Sequence, residues 1–351
     1  MTDAASEQPL DIERHEQLVE YLRASGRIAP TETPQVRTLA GGVSNRTVLV
    51  KRASGEAWVL KQALAKLRVK VDWFSDPARI RREALGLRWL EKLAPPGTIT
   101  PLIFEDERHH LLAMQAVPEP HENWKTMLLR GDVELDHVRQ FAHLLGTIHR
   151  AASARRDELE PVFADRSFFE SLRVEPYYAY TAAQVPEARP FLAGLIEETR
   201  SRRYTLVHGD YSPKNILVHD GRLVLLDHEV IHWGDGAFDV GFALTHLLSK
   251  MNHLPRSRVV LSGLAIQFHC NYDAALGIEG GDRELAKVIV RHTLGCMLAR
   301  VAGKSPLEYL TEPQRQRQLE FVVDAMRSPP ATVPALVAAF THHCEESDAG
   351  N

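Results

Sequence analysis

The segment His208-Gly209-Asp210-Tyr211-Ser212-Pro213-Lys214-Asn215 places a carboxylate five residues ahead of an amide, in a tight loop that contains proline. Such a loop can hold an attacking hydroxyl on Asp210 while the side-chain carbonyl of Asn215 takes a Mg²⁺ ion. Asp227 follows twelve residues after Asn215, at the end of the apolar run Leu223-Val224-Leu225-Leu226, with His228 and Glu229 behind it. Asp227 and Glu229 together offer two carboxylates to a hard cation. Each piece alone also suits a capped turn. The two in this order, each directly after a β-like run, predict metal-assisted phosphoryl transfer.

The first third of the chain supplies what such a site needs to hold ATP. Leu39-Ala40-Gly41-Gly42-Val43-Ser44-Asn45-Arg46-Thr47 is a small turn between β-like runs. Backbone N–H groups around Gly41, Gly42, Ser44 and Asn45 can approach phosphate oxygens there. Lys61, in Trp58-Val59-Leu60-Lys61-Gln62, can grip the α/β-phosphates, and Glu83, on a following helix, can orient it. Two glycines in a hairpin, or a surface Lys and Glu, are ordinary taken singly. Their order ahead of the two carboxylate motifs selects the functional reading.

These residues require a sheet under the first group and helices around two short strands under the second. A leading helix is predicted by Ile12, Leu18, Tyr21 and Leu22, ending near Gly26. Residues 36–117 read as a small sheet, with β-like runs at 47–50, 57–60, 100–104 and 111–114 and one helix over 77–93, closed by Ala94-Pro95-Pro96-Gly97. Beyond Pro118 and Pro120 the pattern predicts helices over 138–152, 191–203, 259–276, 285–302 and 313–326. Two apolar β-like runs, 204–207 and 223–226, interrupt them, and the polar motifs follow each run directly.

Composition bounds the function from outside. The chain has 351 residues, 44% hydrophobic and 25% charged, enough for one large or two ordinary domains. Its 42 Lys and Arg against 46 Asp and Glu argue against a dedicated nucleic-acid binder. Cys270, Cys296 and Cys344 form no C-x-x-C pair, which excludes a disulfide framework and a thiolate zinc site. The first residues lack a signal-peptide pattern and no apolar run is long enough to span a bilayer, so a soluble, cytoplasmic protein without a membrane partner is expected. His109-His110, His342-His343 and the pair His143/His149 lack metal-ligand spacing and read as solvated or packed. Residues 36–92 carry 13 basic against 5 acidic side chains, a bias suited to a nucleotide, whereas residues 157–200 carry 4 against 9.

Across about residues 35–310 the chain resembles the aminoglycoside phosphotransferase and choline kinase-like enzymes. The resemblance is carried by Val207-His208-Gly209-Asp210, Asn215-Ile216-Leu217-Val218, Leu226-Asp227-His228-Glu229 and Gly234-Asp235-Gly236-Ala237-Phe238-Asp239. It implies an α+β, two-lobed protein-kinase-like fold. The small β-rich lobe would span residues 1–114, a hinge 115–119, and the larger helical lobe, with catalytic loop and acceptor site, 120–351. It further implies Asp210 as the catalytic carboxylate, Asn215 and Asp227 as Mg²⁺ ligands, Lys61 on the phosphates with Glu83 orienting it, and Gln115 to Val117 as the adenine-binding hinge. His208 then fixes the loop and Asp239 braces it. The D-x-E form ending in Glu229 looks most like the methylthioribose kinase and choline kinase branches. Compared with protein kinases, Gly209 replaces an Arg, His228-Glu229 replaces Phe-Gly, and the only Lys of the loop stands at 214.

The expectation is an ATP- and Mg²⁺-dependent kinase acting on a hydroxyl of a small molecule such as a sugar, an amino alcohol or an aminoglycoside-like compound. The rival readings are a nucleotide-binding pseudokinase without turnover and a metal-dependent phosphohydrolase acting on water. The acceptor site is expected among the aromatics of residues 165–180, with Arg173, Tyr177 and Tyr178 as contacts and the surrounding negative charge favouring a cationic acceptor. The alternative for these aromatics is core packing.

Overall fold

Short β-branched runs punctuated by turns pair locally, and in the computed structural model, which describes residues 10–39, 42–68, 72–278 and 280–349, they do so in the first of two units. That unit comprises Met1–Trp89 with Thr100–Pro118. Its strands β1 (Gln35–Thr38), β2 (Asn45–Lys51), β3 (Ala57–Ala63), β4 (Leu102–Asp106) and β5 (Leu111–Gln115) form one antiparallel sheet in the order β1-β2-β3-β5-β4. Val48, Val50, Trp58 and Leu60 alternate onto one face, and α1 (His15–Ala24) lays Leu18 and Leu22 against them. Lys61, next along β3, points to the other face, where α2 (Arg79–Leu93) brings Glu83.

The second unit comprises Leu90–Ile99 with Glu119–Asn351. It contains β6 (Glu122–Asn123), α3 (Trp124–Arg130), α4 (Leu135–Ser153), α5 (Arg156–Phe163), α6 (Ser167–Phe169), a π-helical segment Glu170–Ala179, α7 (Tyr180–Gln184) and α8 (Arg189–Ser201). Next come β7 (Thr205–Val207), β8 (Ile216–His219), β9 (Arg222–Leu225), β10 (His232–Gly234), α9 (Ala237–His253), α10 (Arg258–Leu276), α11 (Arg283–Ala302), α12 (Glu312–Arg327) and α13 (Val333–Ala349). Helix α9 is the centre, since every residue from Ala237 to Asn252 is buried. Gly241 lets α11 approach it closely: a Cβ there would stand 2.6 Å from the Cβ of His292.

Two small antiparallel ribbons carry the polar motifs. β7 pairs with β10, and β8 sits between β6 and β9. The loop holding Asp210 therefore leaves one ribbon and enters the other, while Asp227 leaves the second two residues after β9 ends. Both motif loops are clamped at strand ends, as the apolar runs before them require. No helix among the described residues is long and apolar enough to cross a membrane.

Several elements differ from the expectation. Helix α9 falls in none of the expected spans; it is buried on every side, so no solvent-facing stripe marks it. The π-helical segment contains Pro176, which argues against regular helix on local grounds. Helices α3, α5 and α13 are also additional, whereas α2, α4, α8, α10, α11 and α12 lie within a few residues of the expected spans.

Candidate active site

In the sheet unit the Lys61 Nζ donates to Glu83 Oε1 at 2.6 Å, with the Glu83 side chain fully buried and Lys61 12% exposed. The turn before β2 is held from below by Arg79 at the start of α2. Its buried guanidinium donates to the carbonyls of Ser44 and Leu64, the latter at 2.9 Å, and its other arm reaches the carbonyls of Ser75 and Asp76. Ser44 and Asn45 are both buried, and the Asn45 amide donates to Ser44 Oγ at 3.1 Å. At Gly42 a Cβ would stand 3.0 Å from the Asn45 carbonyl oxygen, so the turn closes tightly only on glycine. Gly41 lies outside the described residues. Gln115 ends β5 opposite Trp58 and is exposed; Val117 is buried, just beyond the Ala116 N–H that donates to Ala57 at 2.8 Å.

In the helical unit the loop between β7 and β8 is fastened on several sides. Asp239, at the start of α9 and wholly buried, accepts from the backbone N–H of His208 at 2.7 Å and of Gly209 at 2.8 Å. Its second support is His149 of α4, whose Nε2 lies 3.3 Å from Oδ2 and whose Nδ1 lies 2.9 Å from the Tyr272 hydroxyl. Burial alone would raise the Asp239 pKa; the His149 hydrogen bond, then the His149 and His208 charges and the Gly209 N–H, hold it below its ordinary value. Gly209 has φ +78° and a Cβ would meet Val230 Cγ2 at 2.8 Å, so both backbone and space demand glycine.

The His208 ring ties the two motif loops together. Nδ1 accepts from the Asp210 N–H at 3.2 Å, so Nε2 carries the proton and donates to the Leu226 carbonyl at 3.2 Å. Burial lowers its pKa, consistent with a neutral tether. The Asp210 carboxylate itself is held by two donors on one oxygen. Asn215 Nδ2 reaches Oδ2 at 2.8 Å and the Asp210 carbonyl at 2.9 Å, and Arg173 Nη2 reaches Oδ2 at 3.1 Å. Arg173 comes from the π-helical segment and also donates Nε to the Gly209 carbonyl at 2.7 Å. Burial opposes its charge, but Asp210, Tyr177, Glu229 and Asp227 more than offset this and raise its pKa.

Asp227 takes φ +69°, a left-handed conformation that non-glycine residues adopt rarely. Carboxylate oxygens of Asp227 and Glu229 come within 4.8 Å of each other. Both offer oxygen donors of the kind a hard divalent cation takes.

Residues 35–259 match the family model for the phosphotransferase enzyme family, designated APH. The chain belongs to this family. It is 28% identical over 264 residues to the methylthioribose kinase of Yersinia enterocolitica, covering 68% of this chain and 66%, just under two thirds, of that protein. The fold is shared with the amicoumacin kinase hAmiN in complex with AMP-PNP and Ca²⁺ (14% identity, 85% of this chain, 90% of that one, TM-score 0.56). It is also shared with a choline/ethanolamine kinase family protein from Mesorhizobium loti (12% identity, 93% and 99% covered, TM-score 0.56). These neighbours establish the kinase-like α+β architecture expected from the sequence.

The expected acceptor contacts of this phosphotransferase divide. Tyr178 is fully buried, its hydroxyl 2.9 Å from His292 Nδ1 and 3.4 Å from Cys296 Sγ, so it packs the core and is withdrawn as an acceptor contact. Phe169 is likewise core, stacked on His232 at 3.9 Å. Arg173 points at Asp210 and acts through it. The acidic surplus of residues 157–200 is spent on neighbouring bases, with Glu170 on Arg200, Glu175 on Lys304 and Glu198 on Arg291. It therefore gives no reason to expect a cationic acceptor. The pairings of Arg79 with Ser44, His149 with Asp239 and Arg173 with Asp210 have no signature in the sequence, because each spans 30 residues or more.

Proposed function

We propose that this phosphotransferase moves the γ-phosphoryl group of ATP to a hydroxyl of a small molecule, with Asp210 as the group that receives the hydroxyl. The observation that carries the reading is the fastening of the Asp210 carboxylate. Arg173 and Asn215 occupy Oδ2, which leaves Oδ1 to accept the acceptor hydroxyl and its proton. Such transfer depends on positioning and charge compensation rather than on covalent chemistry, and every side chain around Asp210 serves to position.

Lys61, oriented by Glu83, supplies a fixed cation for the phosphates, and the turn around Gly42, Ser44 and Asn45 offers backbone N–H groups. Gln115 to Val117 is the segment assigned to adenine. Asn215, Asp227 and Glu229 would hold Mg²⁺, which when bound would offset charge on the β- and γ-phosphate oxygens. His208, held neutral, and Asp239 keep the loop in register and take no proton from the substrate.

The kinship with methylthioribose kinase supports a sugar-like acceptor. A coupled ADP-release screen over hydroxylated sugars, amino alcohols, hydroxy acids and sugar phosphates tests the reading. Release that requires an acceptor is expected. Release at full rate in water alone would instead mark a phosphohydrolase, and nucleotide binding without release a pseudokinase.

A further inference from the structure

Lys250 of α9 is wholly buried, and among the described residues its Nζ makes one hydrogen bond, to the His246 carbonyl a turn earlier at 3.2 Å. An ammonium has three donors and a cost of desolvation that one carbonyl does not offset. Its surroundings repeat the pattern. The Tyr309 ring lies 5.4 Å from Lys250 Nζ and 5.9 Å from Lys125 Nζ, and its buried hydroxyl has no partner among the described residues. Arg300 of α11 gives Nη1 to the Tyr177 hydroxyl at 3.1 Å and to Ser305 Oγ at 3.0 Å, yet its Nε is buried and unpaired. The imidazole of His246 has no hydrogen-bond partner among the described residues.

The charges facing this group are almost all positive. Burial, then Lys125 and Arg300 against the opposing pull of Glu308, brings Lys250 down to about 7. His246 is pushed down by burial first and then by Arg300, Lys250, Lys125 and Lys214, so the catalytic loop contributes to the same field. The carboxylate that opposes them, Glu308, is paired with Lys125. Orphaned donors and uncompensated cations buried together are what a fold carries when a ligand completes them.

The cluster also connects to Asp210. The Arg173 guanidinium that holds Asp210 lies 5.7 Å from the Tyr177 ring and 6.0 Å from Phe242, whose ring is 5.0 Å from His246. Tyr177 in turn is bonded to Arg300. We propose that Lys250, Arg300, Tyr309 and His246 form the anion-recognising end of the acceptor site. The acceptor is then a hydroxyl-bearing molecule that also carries a carboxylate or a phosphate. This deepens, and rests on, the assignment of Asp210 to the acceptor hydroxyl.

Calorimetric titration of the nucleotide-free full chain at pH 7 with matched pairs tests it, using ribose against ribose 5-phosphate and glycerol against glycerate. At least one anionic member should bind tenfold or more tightly than its neutral partner, and which pair responds separates phosphate from carboxylate. Lys250→Met should abolish that preference while raising Tm, because an unpaired buried charge is removed. Tyr309→Phe should weaken anion binding about threefold at unchanged Tm, its hydroxyl having no partner to lose. Equal binding of both members of each pair, or a preference that survives Lys250→Met, would overturn the proposal. ADP release is read separately: anion preference without release from any acceptor sinks the transfer reading alone, and release with neutral acceptors only sinks the anion site alone.

Discussion

In the sheet unit a buried carboxylate holds a cation, and in the helical unit a buried cation holds a carboxylate. Glu83 is fully buried beneath Lys61, whose side chain is 12% exposed; Arg173 is 9% exposed beside Asp210 at 14%. In both pairs the more exposed member is the one assigned to substrate, and the more deeply buried member orients it. Depth decides the division of labour, because the member that remains accessible can still change partners when a substrate arrives. Lys250 is the instructive third case, a cation as deep as Glu83 with no carboxylate bonded to it among the described residues.

The largest expected effect breaks the helical pair at its working end. Asp210→Asn keeps shape and metal ligands but removes the base, so kcat should fall by about 10²-fold or more at unchanged ATP affinity. Wild-type kcat in that variant, measured on an identified acceptor, would remove Asp210 from its role. Breaking the same pair at its positioning end should cost less: Arg173→Met is expected to lower kcat about tenfold or more with ATP KM unchanged. Arg173→Lys should rescue little, since one ammonium cannot serve both Asp210 and the Gly209 carbonyl as the guanidinium does.

The sheet pair should behave as one unit. Lys61→Ala and Glu83→Gln are each expected to lower kcat/KM for ATP by about tenfold, and the double variant by little more than the worse single one. Losses that multiply in the double variant would mean the two residues act independently.

Acid sharpens the contrast between buried groups. Burial holds His292 at about 4 against its ordinary 6.5, so the unfolded chain takes up the proton first. The stability that His292 contributes should therefore be complete well above pH 6.5 and be lost as pH drops toward 4, by about 3 kcal/mol. His208 and His246, also depressed by burial, act in the same sense. Urea unfolding as a function of pH reads this, and a flat profile between pH 6.5 and 4 would contradict it. The smallest effect separates neighbours: Tyr178→Phe should cost about 1 kcal/mol of stability and leave acceptor KM unchanged, whereas Tyr177→Phe should raise acceptor KM. Acceptor KM moved by Tyr178→Phe would return that residue to the site.

Much of the fold could be read locally. β2 and β3 carry strand-like residues between turns, and α4 and α12 show helical periodicity, because each presents one face to a core and the other toward water. Helix α9 escaped notice for the opposite reason, being buried all round. The π-helical segment carries Pro176, which argues locally against regular helix, and packing makes Phe169 and Tyr178 core. Asp210 with Asn215, and Asp227 with Glu229, can be proposed from the sequence because metal and nucleophile chemistry restricts residue type and spacing within each loop.

By itself the sequence determined the order of parts: a glycine turn, a lysine on a strand, a carboxylate on a helix, and two polar loops after two apolar runs. Spacing along the chain encodes those, since each is set by residues a few positions apart. Only the tertiary structure decided that Arg173 grips Asp210, that His149 supports Asp239, that Arg79 pins the Ser44 carbonyl, and that Lys250 lies buried with no ion pair of its own among the described residues. Those arrangements join residues distant in sequence, and burial, which sets the cost of each charge and so its function, is a property of the packed chain.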